Sequence, residues 1–345
     1  MNFYKNLKIG TKICLVIACV LVICVGIMGV LISNQTSKII SEESHKLLDN
    51  VTDRFVAMGV GAIESGFGNV DSARKNIDSV YRMIDVIPLE ILESNLESMS
   101  DVGSYVSGSF IYLKNGANMY RNDPKLPKEH HFTADGGMLL VATDDDPEND
   151  GGVRYAPALP EILEYPAFKE SLQNNKPAFG IPRRIHLGGN DIYGVTMTYP
   201  IVKNNQVVGV VGAFLNLKTL QAAFRKEEDS VYKGSRIFML DSKGVVAIHP
   251  SESFLMKKLD EVNKDATATT LLQAQAAGKD GIYEYRTTDG VKSLASLQSF
   301  EIWHGINKRW AIITTGPEEI IMEPLNTVQL PFLCFQSYLL LSLRW

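Results

Sequence analysis

The chain has 345 residues, of which 45% are apolar and 21% charged, and its net charge is −5. That is ordinary for a folded protein and long enough for two domains plus membrane segments, and no basic stripe with interleaved aromatics points to nucleic acid. All four cysteines, Cys14, Cys19, Cys24 and Cys334, lie in two apolar runs, which excludes disulfides and cysteine-based metal sites from everything between them.

The first apolar run, residues 13–32, reads ICLVIACVLVICVGIMGVLI and carries no charge. As a helix it would be roughly 30 Å long, the thickness of a bilayer core. Lys5, Lys8 and Lys12 precede it, so the N-terminus is expected in the cytoplasm and the chain beyond the run on the outer side. A cleaved signal peptide has a shorter core and a small-residue cleavage site, and Ser33-Asn34-Gln35 offers none.

Residues 35–85 contain almost no helix breaker, and their apolar positions recur every three or four residues, which predicts a long stalk helix. Gly59, Gly61, Gly66 and Gly68 mark a kink or a close backbone approach in its middle. Pro88 ends this run, and residues 89–99 read as a short second helix.

From residue 102 the texture changes to strands. Segments 107–113 and 138–143 are predicted strands, and 144–152 an acidic loop. An EF-hand reading of that loop from Asp146 places Pro157 where a glutamate is needed, so a solvated loop is expected. The pair His130-His131 is expected to be exposed rather than metal-bound. Residues 160–173 read as a helix interrupted at Pro166, and 178–187, 191–200 and 206–217 as strands joined by Gly/Asn turns, hence an antiparallel sheet. A helix at 218–227 leads to a second, smaller cycle. Its expected strands are 236–240, 245–249, 281–286, 291–299 and 310–315, with 251–277 helical. Both cycles run strand, turn, strand, helix, three-strand meander, which suggests one fold used twice.

Five segments carry a resemblance. They are NFYKNLKIGTK before the anchor, NKPAFGIP from Asn175, TYPIVKNNQVVGVVGAFLNL from Thr198, FMLDSKGVVAIHP from Phe238, and RWAIITTGPEEI from Arg309. Together they resemble the double Cache sensor region of bacterial methyl-accepting chemotaxis receptors, over about residues 1–328. The resemblance implies an α+β fold: a transmembrane helix, a long N-terminal stalk helix and two PAS-like modules, each an antiparallel sheet flanked by helices. The expected division is a cytoplasmic N-terminus at 1–12, transmembrane helix at 13–33 and stalk at 34–99. Next come a membrane-distal module with the ligand pocket at 100–228, a membrane-proximal module at 229–320, and a return helix with a second membrane segment at 321–345.

In that family the distal pocket binds ligand. Amino-acid-binding members carry an Arg-x-Trp-Tyr pattern, a strand Tyr and an Asp. On this chain those positions correspond to Tyr165, Ala167 and Phe168, to Arg183, and to Phe214, so every polar anchor of an amino-acid zwitterion is changed. Strand alternation puts Arg183 on one face with Ile185, and Thr196 and Thr198 on one face with each other, with Tyr193 of opposite parity. Two partners for Arg183 stay open: a bound carboxylate, or an internal acid such as Glu161 or Glu164. The expected ligand site is therefore Arg183, Tyr165, Phe168, Ile185, Tyr193, Thr196, Thr198 and Phe214. Trp303 and Trp310 are expected in the proximal core, and His249 as structural or exposed.

No phosphate loop, H-E-x-x-H or G-x-S-x-G occurs, so no enzyme, cofactor or metal is expected. The expected function is an extracytoplasmic sensor at the inner membrane that binds a small carboxylate and signals by helix shifts, as a homodimer through the stalk. The alternatives are the sensor of a histidine kinase or cyclase-type receptor, or an adhesin-like ectodomain. The family continues into HAMP and a cytoplasmic coiled coil, whereas the last apolar run here, 330–343, is fourteen residues with Pro331 and Gln336. A truncated or frame-shifted receptor is the expectation, reaching chemotaxis kinase and adaptor only if a separate chain supplies the missing part.

Overall fold

The computed structural model describes residues 8–101, 103–126, 131–147, 149, 151–227 and 232–323. The apolar run expected at 330–343 lies outside them.

Helix α1, Ile9–Tyr81, is a single element of 73 residues. At about 1.5 Å per residue it is roughly 110 Å long. Its N-terminal part holds an 18-residue window of mean hydropathy 3.2, long and apolar enough to cross a membrane, with 6% of that window buried. The helix is unbroken at all four glycines. Two of them make the close approach that was the other expectation. A Cβ on Gly66 would stand 2.5 Å from Met197 Cε, and one on Gly59 3.1 Å from Met239 Cε. Gly61 and Gly68 face open space. The helix stops four residues earlier than the periodicity suggested, and the chain turns so that Ile87 is fully buried and its carbonyl accepts from Tyr120 Oη at 2.6 Å. Pro88 then starts α2, Leu89–Ser100.

The first sheet comprises β1 Val106–Leu113, β2 Met138–Asp144, β3 Val153–Ala156, β4 Ala178–Phe179, β5 Arg183–Leu187, β6 Asn190–Lys203 and β7 Gln206–Asn216. Its order is β3-β2-β1-β7-β6-β4, with β5 also on β6, and all pairs are antiparallel. Asn204 and Asn205 both take positive φ, 50° and 62°, in the two-residue turn between β6 and β7. This is the left-handed pair that matches strand twist in a tight hairpin, and asparagine tolerates it. One sheet face, with Val195, Met197, Tyr199, Val211, Ala213 and Leu215, packs on α1. The other, with Phe110, Tyr112, Leu139, Val141, Ile185 and Phe214, lies under α3, Pro166–Asn174.

Helix α4, Leu217–Glu227, leads to the second sheet: β8 Arg236–Leu240, β9 Val246–Ile248, β10 Gly281–Arg286, β11 Lys292–Trp303 and β12 Ile306–Pro317. Its order is β10-β11-β12-β8-β9. Matching β8 and β9 to β1 and β2, and β10, β11 and β12 to β5, β6 and β7, gives the same neighbour order in both sheets. The repeat suspected from sequence is therefore a repeat of topology. The stretch 251–277 is not one helix. Only Ala266–Ala276 (α5) is a sustained α-helix there, with single turns at Glu252–Phe254 and Leu259–Val262. Asn263 breaks it by donating to Tyr285 Oη at 3.0 Å and the Arg286 carbonyl at 2.8 Å, while Asp265 caps α5 through Thr267 N. Such side chains offer the backbone an alternative to helix.

The second sheet meets α1 nearer its apolar end. Ser296 Oγ donates to Asp49 Oδ1 at 2.6 Å, whereas in the first sheet Val202 N donates to Asp78 Oδ1 at 3.1 Å. The two sheets also touch each other. Trp303 Nε1 donates to Tyr199 Oη at 2.6 Å, its ring stacks on Phe67 at 5.3 Å, and Lys308 Nζ donates to the Phe179 carbonyl at 2.8 Å. Trp310 is buried among core residues of the second sheet, as expected, and its ring also lies 5.1 Å from Phe179, whereas Trp303 is partly buried at the junction of the sheets.

Candidate ligand-binding site

The site is assembled on the outer face of the first sheet. Pro166 does not merely interrupt a helix. It divides the segment into a 3-10 turn, Pro160–Glu164, and α3, and it holds Tyr165 in extended backbone at φ −67°, ψ 135°. A residue before proline is driven out of the helical region, and proline suits a first helical position. Tyr165 is 5% exposed and lies against the sheet.

The expected strand at 178–187 is two strands. Gly180-Ile181-Pro182 separates β4 from β5, and Pro182 has no N–H to give a ladder. Arg183 therefore opens a new strand, opposite Gly194. Its guanidinium lies over the Tyr165 ring at 4.2 Å from the centroid. Tyr165 Oη donates to Glu161 Oε1 at 3.1 Å, and burial, reinforced by Glu161, pushes that phenol up to about 12. Glu164 is taken by Lys169. Among the described residues Arg183 makes no ion pair, so neither acid expected as its internal partner neutralises it directly.

Beneath this cation the aromatic rings interlock. Phe110 and Phe214 lie 5.4 Å apart, Tyr112 and Phe168 5.2 Å in an edge-on contact, and Phe110 and Phe168 6.3 Å. Phe214 and Ile185 are fully buried, and Phe168 is 2% exposed. These rings occupy the centre of the expected hollow, so the polar groups stand at its edges. At one edge Tyr112 Oη donates to Asp135 Oδ2 at 2.6 Å. Burial pushes the Asp135 carboxyl up, but bonds from Thr133 and Tyr112 outweigh it and hold the acid below its usual range.

The structure brings Tyr165, Phe168, Ile185 and Phe214 together, with Arg183 at their margin. Thr196 pairs with Phe214 on the same face. Thr198 also shares that face, but its hydroxyl is engaged by Ser171 Oγ at 2.7 Å and the Ala167 carbonyl at 3.0 Å, where it pins α3 to β6. Tyr193 is on the opposite face, and its hydroxyl donates to the Ala247 carbonyl of the second sheet at 2.9 Å. It belongs to the inter-sheet contact. Phe110, Tyr112 and Asp135 were not anticipated. The parity of β1 could have shown the first two, while Asp135 lies in a loop without a periodic signal.

Of the histidines, His131 is 7% exposed, contrary to expectation, and His130 lies outside the described residues. His249 is 4% exposed and stacks on Phe254 at 4.1 Å. In the acidic loop Asp146 N donates to Asp144 Oδ1 at 2.9 Å, which is a local turn.

Residues 92–222 match the family model of the methyl-accepting chemotaxis protein-like first PDC sensor domain. The methyl-accepting chemotaxis protein TlpQ of Pseudomonas aeruginosa is 25% identical over 153 residues, 44% of this chain and 21% of the relative. The aligned stretch thus spans about a fifth of the length of that curated relative. The periplasmic sensory domain of the Campylobacter jejuni chemoreceptor Tlp1 shares the fold at TM-score 0.72 and 22% identity, covering 83% of this chain and 99% of that one. The ligand-binding domain of the Pseudomonas fluorescens chemoreceptor CtaA, solved with L-leucine, does so at 0.52 and 16%, covering 83% and 99%. Residues 92–222 thus match a PDC sensor domain of the methyl-accepting chemotaxis protein-like kind, and the chain as a whole shares the fold of chemoreceptor sensor domains.

Proposed function

We propose that the chain is the sensor part of an inner-membrane chemoreceptor, with its sheets in the periplasm and a small carboxylate as ligand of the first sheet's outer face. Arg183 carries the reading. It is a half-buried guanidinium without an ion pair among the described residues, held on Tyr165 above an apolar floor. Such a cation presents a fork to a carboxylate where water competes weakly. The CtaA domain was solved with an amino acid, but here Phe214 occupies the position where the resemblance places an acid. A ligand with a carboxylate and no ammonium suits this site better.

The signal is read as a displacement along α1, which runs from the first sheet to the apolar segment, in a dimer formed through that helix. The test is a thermal-shift screen of the full chain in detergent micelles against mono- and dicarboxylates and amino acids. A carboxylate should raise the melting temperature through its binding energy. Arg183→Ala should weaken its binding about tenfold or more, the worth of a charge-assisted hydrogen bond. A carboxylate bound equally by Arg183→Ala, or a screen in which only zwitterions bind, refutes the assignment.

A further inference from the structure

A second cavity lies away from the aromatic cluster, where α1 ends and the β6–β7 hairpin turns. Its volume is about 460 Å³, within the range of small-molecule sites. Leu113, Met119, Leu172 and Val208 give it an apolar wall, Lys114 and Lys203 bring two ammonium groups, and no carboxylate is among the described residues that line it. Lys203 is held in place from two sides. Its Nζ lies 5.1 Å from the Tyr81 ring centroid and donates to Asp85 Oδ1 at 2.7 Å. The Lys203 side chain is 22% exposed and that of Asp85 96%, so the acid reaches in from solvent rather than sharing the cavity. An exposed partner of this kind contributes little and exchanges readily for another anion.

We infer that this cavity is a second ligand site, separate from the one at Arg183, and that it takes an amphipathic anion: a carboxylate head on Lys203 and Lys114, with a short hydrocarbon body against Leu113, Leu172 and Val208. The two-lysine head sets the charge, and the wall sets the need for a tail. Neither acetate nor a neutral amide of the same length meets both conditions.

The test uses the full chain in nanodiscs and hexanoate as probe, with acetate and hexanamide as comparisons, read by saturation-transfer NMR and titration calorimetry. Hexanoate should bind saturably, and acetate and hexanamide at least tenfold more weakly. Lys203→Gln should weaken hexanoate about tenfold, and the exposed Lys114→Met several-fold. Arg183→Ala should leave it unchanged, which separates this site from the first. Val208→Trp, which fills the cavity, should abolish it, with an unchanged circular dichroism melt of Lys114→Met as the control for folding. Absence of saturable hexanoate binding overturns the inference, as does binding that survives both lysine changes or is lost with Arg183→Ala.

Discussion

At the scale of single residues, His249 departs far from its solution behaviour. Burial lowers its pKa to about 4 from the usual 6.5, Arg236 and Arg225 add to this, and the Ser251 carbonyl, 3.3 Å from Nδ1, opposes it. The unfolded chain therefore takes up this proton first as pH falls, so the stability is complete above about 6.5 and is lost between there and 4. By pH 5 the loss is about 2 kcal/mol. Unfolding of the wild type and of His249→Phe, compared at pH 7.5 and 5, should show a smaller loss in the variant, and equal losses would refute the neutral buried state. The sequence shows His249 only as a strand end, because its neighbour Phe254 arrives through an isolated 3-10 turn. Arg183 is more legible. Parity places it with Ile185, but its contact with Tyr165 depends on a backbone turn at Pro166 that alternation does not encode.

At the scale of elements, α1 is readable because the absence of proline and the three-four spacing act over many turns. Its glycines divide in a way that spacing alone does not show. Gly66 touches Met197, which is fully buried, so Gly66→Leu should destabilise the protein by about 1–3 kcal/mol through overpacking. Gly61 faces open space, so Gly61→Ala should stabilise it by up to about 1 kcal/mol through helix propensity. Thermal or denaturant unfolding of both variants checks the contrast, and shifts of the same sign would mean that the register of α1 on the sheet is different. The segment 251–277 reads falsely as one helix because its composition is helical, whereas Asn263 and Asp265 spend their side chains on turns and caps. Residues 178–187 read as one strand for the same kind of reason: apolar content hides the break at Gly180 and Pro182. Strand β3 escapes notice because it is short and mostly exposed.

At the scale of the molecule, the repeated topology is legible, since turn residues recur in the same order in both units. The junction between the units is not. It is made by Trp303, Tyr199, Phe67, Lys308 and Phe179, residues from distant parts of the chain whose meeting no local pattern announces. Trp303→Ala should cost roughly 3 kcal/mol by removing a large stacked ring. It should also raise amide exchange at 302–308 and 176–179, while β1 stays protected. Uniform change across both sheets, or none, would show that the junction does not join them.

The gap between β4 and β5 has a mechanical consequence. The guanidinium rides on a five-residue ribbon fastened to the sheet along one side only, by β6. Across that ribbon Arg184 is opposite Tyr193, whose phenol grips the neighbouring unit at Ala247. The ribbon that carries Arg183 is thus tied, through one phenol, to the other sheet, so a shift of that ribbon is coupled to both halves of the structure.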